Sequence, residues 1–187
     1  MSAAPGTPNF VVLLRGVNVG KGNRVPMAEF RALLEAQGFT EVQTLLNSGN
    51  AVFRSVGRSA SVHAKAISTA LQQRLGLSIH VVVKSSSDFL AAVAENTLAP
   101  AADQYSRFLV AFAQDHAAIE ALAALLPSVR APERVLIGKH AAYLDCARGI
   151  MESEAASALL GKSGRAVTTR NWATTVKLAT LLRGDEA

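Results

Sequence analysis

The chain has 187 residues, half of them hydrophobic, 18% charged and 5% aromatic. That composition supports one compact domain or two small ones with a real core, and it excludes a disordered chain. The net charge of +5 is segregated: nine Lys/Arg face three Asp/Glu in residues 1–87, five face nine in 88–154, and five face two in 155–187.

In chain order, residues 1–9 read as a flexible tail. They carry no basic region followed by an apolar one, so they are not a secretory signal. Phe10–Arg15 is a short apolar run suited to a buried strand. A loop of roughly ten residues follows. Pro26 then pre-sets a helical φ, and Met27, Phe30, Leu33 and Leu34 make an apolar face that ends near Gly38. Val42–Leu46 and Ala51–Arg54 flank Asn47-Ser-Gly-Asn50, the pattern of a hairpin turn with Gly49 at positive φ. Val62, Ile67, Ala70, Leu71 and Leu75 predict a second helix ending near Gly76, and Ile79–Val83 predicts a strand. Ser85-Ser-Ser-Asp88 is expected to cap a helix reaching about Glu95.

The second half repeats this order. Arg107–Ala113 is a predicted strand, and Asp115 caps a predicted helix to about Leu126. Val135–Ile137 and Ala141–Cys146 form a hairpin around Gly138-Lys139. A helix from about Ser153 to Leu160 and an extended Arg165–Thr168 follow. A final helix runs from about Asn171 to Leu182. Twice βαββαβ is twice the split-βαβ unit. The expected fold is α+β: two ferredoxin-like halves with mainly antiparallel sheets. Half 1 covers 10–96, a linker 97–105, and half 2 with the C-terminal helix 106–187.

Three polar stretches stand out from this background: Leu13–Met27, Asn47–Asn50 and Thr168–Trp172. All lie in regions almost free of acids; none occurs at 1–28, 42–87 or 155–184. A segregated basic field attracts phosphates or carboxylates. In a ferredoxin-like unit strand 1 lies between strands 3 and 4, so its exit sits beside the entry of strand 3. That places Arg15, Asn18, Lys21, Asn23, Arg24, Asn47, Ser48 and Asn50 on one rim, with glycines leaving backbone N–H groups approachable. The loop is neither a Walker motif nor a dinucleotide fingerprint. In the third stretch Thr168, Thr169 or Asn171 is expected to cap the last helix. Arg170, Thr174 and Lys177 share a helical face if Arg170 is already helical. The candidate ligand-binding residues are therefore Arg15, Asn18, Lys21, Asn47, Ser48, Asn50, Thr169, Arg170, Asn171 and Lys177. An equal alternative is a structured loop whose asparagines bond their own backbone. Trp172 reads as a core anchor rather than a stacking platform.

The four histidines, His63, His80, His116 and His140, have no metal-ligand spacing, so neither metal nor cofactor is expected. The single cysteine, Cys146, reads as a buried thiol, and with the missing signal and membrane spans it points to the cytoplasm. Nucleic acid also fits the basic field. However, the Arg/Lys-Gly-Phe/Tyr signature is absent, and strands 1 and 3 offer only Phe10 and Phe53 for stacking. An exposed sheet edge is compatible with a dimer.

At these motifs the chain resembles DUF1697, a bacterial family of uncharacterised proteins. The matching pieces are Leu14-Arg-Gly-Val-Asn-Val-Gly20, Val25-Pro-Met-Ala-Glu-Phe-Arg31, Asn47-Ser-Gly-Asn-Ala-Val-Phe53 and Thr168-Thr-Arg-Asn-Trp172 with Lys177-Leu178. The resemblance implies ferredoxin-like halves and a cytoplasmic protein, and it implies no activity. Gly20-Lys21-Gly22, Ala173 and Asp145–Gly149 depart from the family pattern. Three readings stay open: a binder of a phosphate-bearing small molecule, with or without catalysis; a nucleic-acid binder using a basic face; or a structural module without a ligand.

Overall fold

The computed structural model describes residues 8–98 and 100–184. Residues 1–7 of the expected tail, residue 99 of the expected linker and residues 185–187 lie outside the described residues. The chain divides into two compact units, Met1–Phe89 with Leu178–Ala187, and Leu90–Lys177.

In the first unit the elements are β1 (Phe10–Leu14), α1 (Met27–Ala36), β2 (Thr40–Leu45), β3 (Asn50–Arg54), α2 (Ala60–Leu75) and β4 (Val81–Ser85). The sheet order is β2-β3-β1-β4, with every pairing antiparallel. This is the ferredoxin-like order, with β1 between β3 and β4. Alternate residues of β1 and β3, namely Phe10, Val12, Leu14, Ala51 and Phe53, pack with Phe30, Leu33 and Leu34 of α1 and Ile67 and Leu71 of α2. Asn9 closes the sheet margin: its amide donates to Ser55 O at 2.8 Å and accepts from Ser55 N at 2.9 Å.

This core holds an aromatic stack. Phe53 lies 4.2 Å from Phe39 and 5.5 Å from Phe10 between ring centroids, and His63 meets all three rings edge-on. His63 is 1% exposed, and among the described residues neither of its ring nitrogens has a hydrogen-bond partner. Burial, with the charge of Arg58 adding to it, holds the imidazole below its ordinary range. The unfolded chain therefore takes up the proton first as pH falls. The stability tied to neutral His63 is complete above about pH 6.5 and is lost as pH drops below that value. His63→Leu is expected to be about 1 kcal/mol more stable than the parent at pH 7.5, because two unmade hydrogen bonds are removed. Denaturant unfolding should show that margin widening toward pH 5. A margin that stays constant with pH would contradict the account.

The second unit starts within α3 (Ser86–Ala94) and continues through β5 (Phe108–Ala113), α4 (His116–Glu120), β6 (Arg134–Ile137), β7 (Ala142–Asp145), α5 (Glu154–Leu160), β8 (Val167–Asn171) and into α6 (Trp172–Arg183). Its sheet order, β6-β7-β5-β8, repeats that of the first, again wholly antiparallel. The expected caps form: Ser85 Oγ accepts from Asp88 N, Asp115 Oδ1 from Ala118 N and Ser153 Oγ from Ala156 N.

The helix capped by Asp115 reaches Leu126 as expected, but only His116–Glu120 is α; it continues as a 3-10 helix over Ala121–Ser128. Pro127 has no N–H to give to Ala123 O, so α hydrogen bonding cannot run through the end of this segment. The extended segment before the last helix, expected at Arg165–Thr168, instead covers Val167–Asn171 and so includes Arg170 and Asn171.

Cys146 is buried, and burial pushes its thiol up to about 11, against the opposing hydrogen bond with Ser153. It is therefore a protonated packing residue at neutral pH. Among the described residues no helix is long and apolar enough to cross a membrane, and no group of His, Cys, Asp or Glu is placed to hold a metal.

Candidate anion-binding rim

The exit of β1 and the entry of β3 meet as the strand order requires. Leu13 pairs with Asn50, and Leu14 N donates to Gly49 O at 2.8 Å. The loop leaving β1 is anchored at both ends by apolar side chains, since Val17 and Val25 are buried in the first core. Between them it folds back on itself. Asn18 N donates to Asn23 O at 2.7 Å, and Gly22 N to Val19 O at 3.1 Å.

Asn18 is the staple of this arrangement. Its φ is +56°, a region that asparagine tolerates better than most residues. Its amide nitrogen donates to Val25 O at 2.8 Å and to Asn47 O at 2.7 Å, while its amide oxygen accepts from Val25 N at 2.9 Å. One side chain thus closes the loop and fastens it to the β2–β3 turn. For Asn18, the reading in which an asparagine bonds its own backbone holds.

The tip beyond this staple faces solvent. Lys21 and Arg24 are exposed, Val19 is 70% exposed, and Arg24 Nη2 donates to Gly20 O at 3.0 Å. Among the described residues, the N–H groups of Gly20 and Lys21 meet no protein acceptor. Asn47 and Ser48 are exposed on the adjoining turn, and Arg15 is half-buried where the loop begins. The first two motifs are therefore brought together, with two solvent-facing cations and no carboxylate in either segment.

Asn50 differs from the rest. It is fully buried at the start of β3 and donates from its amide to Leu45 O at 3.0 Å, so it braces the hairpin from within. One rim residue was missed from sequence. Arg15 N donates to His80 O at 3.0 Å, which puts exposed His80 on the other side of the β1 exit. Strand 4 flanks strand 1 in the same topology, so the signal was present in the strand-order argument.

The third motif lies in the second unit. Thr169, Arg170 and Asn171 belong to β8, opposite Ala111, Val110 and Leu109 of β5. Arg170 is not helical, so it does not form a helical face with Thr174 and Lys177. Asn171 supplies the expected cap, its Oδ1 accepting from Thr174 N at 2.9 Å. Arg170 is 7% exposed and donates to Thr168 Oγ1 at 2.9 Å and Thr169 O at 2.7 Å. Burial lowers its guanidinium to about 10, still a cation at neutral pH. Thr169 and Asn171 are half-buried, and Lys177 is exposed on α6. Trp172 is buried edge-on against Phe108 at 5.7 Å, as a core anchor is.

Phe10 and Phe53 both point into the first core, so neither offers a ring to a base on an open sheet face.

No curated protein matches the chain. Among solved structures, a conserved bacterial protein, SP0830 from Streptococcus pneumoniae, is similar at 26% identity and a TM-score of 0.75, over 95% of this chain and 99% of that one. A family model described as a protein of unknown function (DUF1697) matches residues 8–143. With that match over most of its length, the chain belongs to the DUF1697 family.

Proposed function

We propose that the rim formed by the Arg15–Arg24 loop and the Asn47–Ser48 turn binds a phosphate-bearing small molecule, a nucleotide included. The observation that carries this is the Asn18 staple, which holds the loop against the turn and leaves Lys21 and Arg24 in solvent. Pre-set geometry lowers the ordering cost of binding, and backbone N–H groups at a glycine-rich tip suit an oxyanion. Arg15 contributes charge at the start of the loop, and His80 extends the rim. Thr169, Arg170, Asn171 and Lys177 are left out of this reading, because in their own unit they serve a strand, a cap and a helix surface. Nothing in the rim supplies an acid–base pair, so the proposed role is binding and orientation.

Thermal-shift titration with inorganic phosphate, pyrophosphate and nucleotides tests the proposal. Lys21→Ala should leave stability within about 0.5 kcal/mol, as exposed substitutions do. It should weaken anion affinity about tenfold, the effect of losing one charged hydrogen bond at the lower end of its range. Equal anion responses from parent and variant would count against the rim.

A further inference from the structure

Glu95, just past the end of α3, reaches a hairpin tip 44 residues along the chain. Its carboxylate accepts three consecutive backbone N–H groups: Lys139 N at 3.1 Å, His140 N at 2.9 Å and Ala141 N at 3.0 Å. The Tyr143 hydroxyl lies 2.9 Å from the same Oε1 and shares its single proton between Glu95 and Ala92 O. Successive N–H groups converging on one point form a nest, a geometry that binds anions without any cationic side chain. Gly138 makes room for it: a β-carbon at that position would stand 2.3 Å from Glu95 Oε1 and 2.7 Å from its Cδ. Tyr143 is buried, and burial followed by the Glu95 hydrogen bond and charge raises its pKa, so the hydroxyl keeps its proton as a donor.

We propose that the tip of the β6–β7 hairpin is a carboxylate-binding site whose ligand is supplied in cis by Glu95, and that a small free monocarboxylate occupies it when that side chain is truncated. The donors come from backbone and from a buried tyrosine, so the site persists without Glu95, provided the hairpin stays folded. Recognition there is by a planar pair of oxygens, since Oε1 takes two N–H groups and Oε2 the third. This site lies wholly within the second unit and is independent of the phosphate reading for the first.

The test uses the full chain carrying Glu95→Ala, melted in formate, acetate or chloride at equal ionic strength. The variant should melt below the parent. Formate and acetate should then raise its midpoint by about 3–6 °C at tenfold excess over Kd, and further with the logarithm of concentration, with chloride and the parent protein showing no such rise. Adding Gly138→Ala to Glu95→Ala fills the cradle with a methyl group and should abolish the rescue. A rise that is absent, equal in the parent, or retained with Gly138→Ala would overturn the proposal. Should Glu95→Ala fail to fold, Glu95→Gln keeps the shape without the charge. Amide protons of Lys139, His140 and Ala141 should then move upfield and exchange faster than their neighbours, and unchanged resonances would overturn it equally.

Discussion

Gly49→Ala is expected to destabilise the protein by about 3 kcal/mol. Gly49 has φ +74°, where a side chain costs ~1–2 kcal/mol. The space is also closed: a β-carbon there would lie 2.6 Å from Leu14 Cβ and 2.7 Å from Val17 Cγ2. Forcing a methyl into packed core adds ~1–3 kcal/mol. The consequence reaches the rim, because Val17 anchors the loop that carries Lys21 and Arg24, and Gly49 sits in the turn that Asn18 holds. Denaturant unfolding followed by far-UV circular dichroism measures the loss. A loss below about 1 kcal/mol would mean that turn and loop are looser than described, and the pre-set geometry of the rim would fail with them.

Phe53→Ala is expected to cost more, about 3–5 kcal/mol, the range for emptying a buried phenylalanine site. Phe53 is fully buried, stacked on Phe39 and Phe10, and edge-on to His63. Its removal leaves a void lined by aromatic rings that cannot close without moving β2 or α2. It also loosens the surroundings of the unpartnered His63, so the drop in stability between pH 7.5 and pH 5 should shrink as water reaches the imidazole. The same unfolding experiment at the two pH values reads both effects. A cost under 1.5 kcal/mol with an unchanged pH dependence would contradict the packing described.

The element order was legible because local chemistry and hydrophobic period agree in this chain. Ser85, Asp115 and Ser153 each cap the helix they precede, and Gly38 adopts the left-handed φ of +83° expected just past α1. Strand order then follows from topology alone, and it correctly placed the β1 exit beside Asn47–Asn50. Three features were beyond reach. Thr168-Thr-Arg reads equally as a cap or a strand, and only pairing with β5 decides for the strand. Asn50 and Asn47 look alike in sequence, yet one is buried and one exposed, because the register puts Asn50 opposite Leu13. The Glu95 cradle has no local signal at all; its two parts, the end of α3 and the β6–β7 tip, lie 44 residues apart in the chain.

If the Arg15–Arg24 loop and the Asn47–Ser48 turn together hold a phosphate group, the contact is visible residue by residue. A titration of ¹⁵N-labelled protein with pyrophosphate, followed by amide resonances, reads that contact. Saturable shifts are expected, centred on Gly20, Lys21, Gly22, Asn47 and Ser48, weakened by Lys21→Ala and reduced by salt as a charged contact must be. Shifts that never saturate, or that saturate elsewhere and leave these residues unmoved, would contradict it.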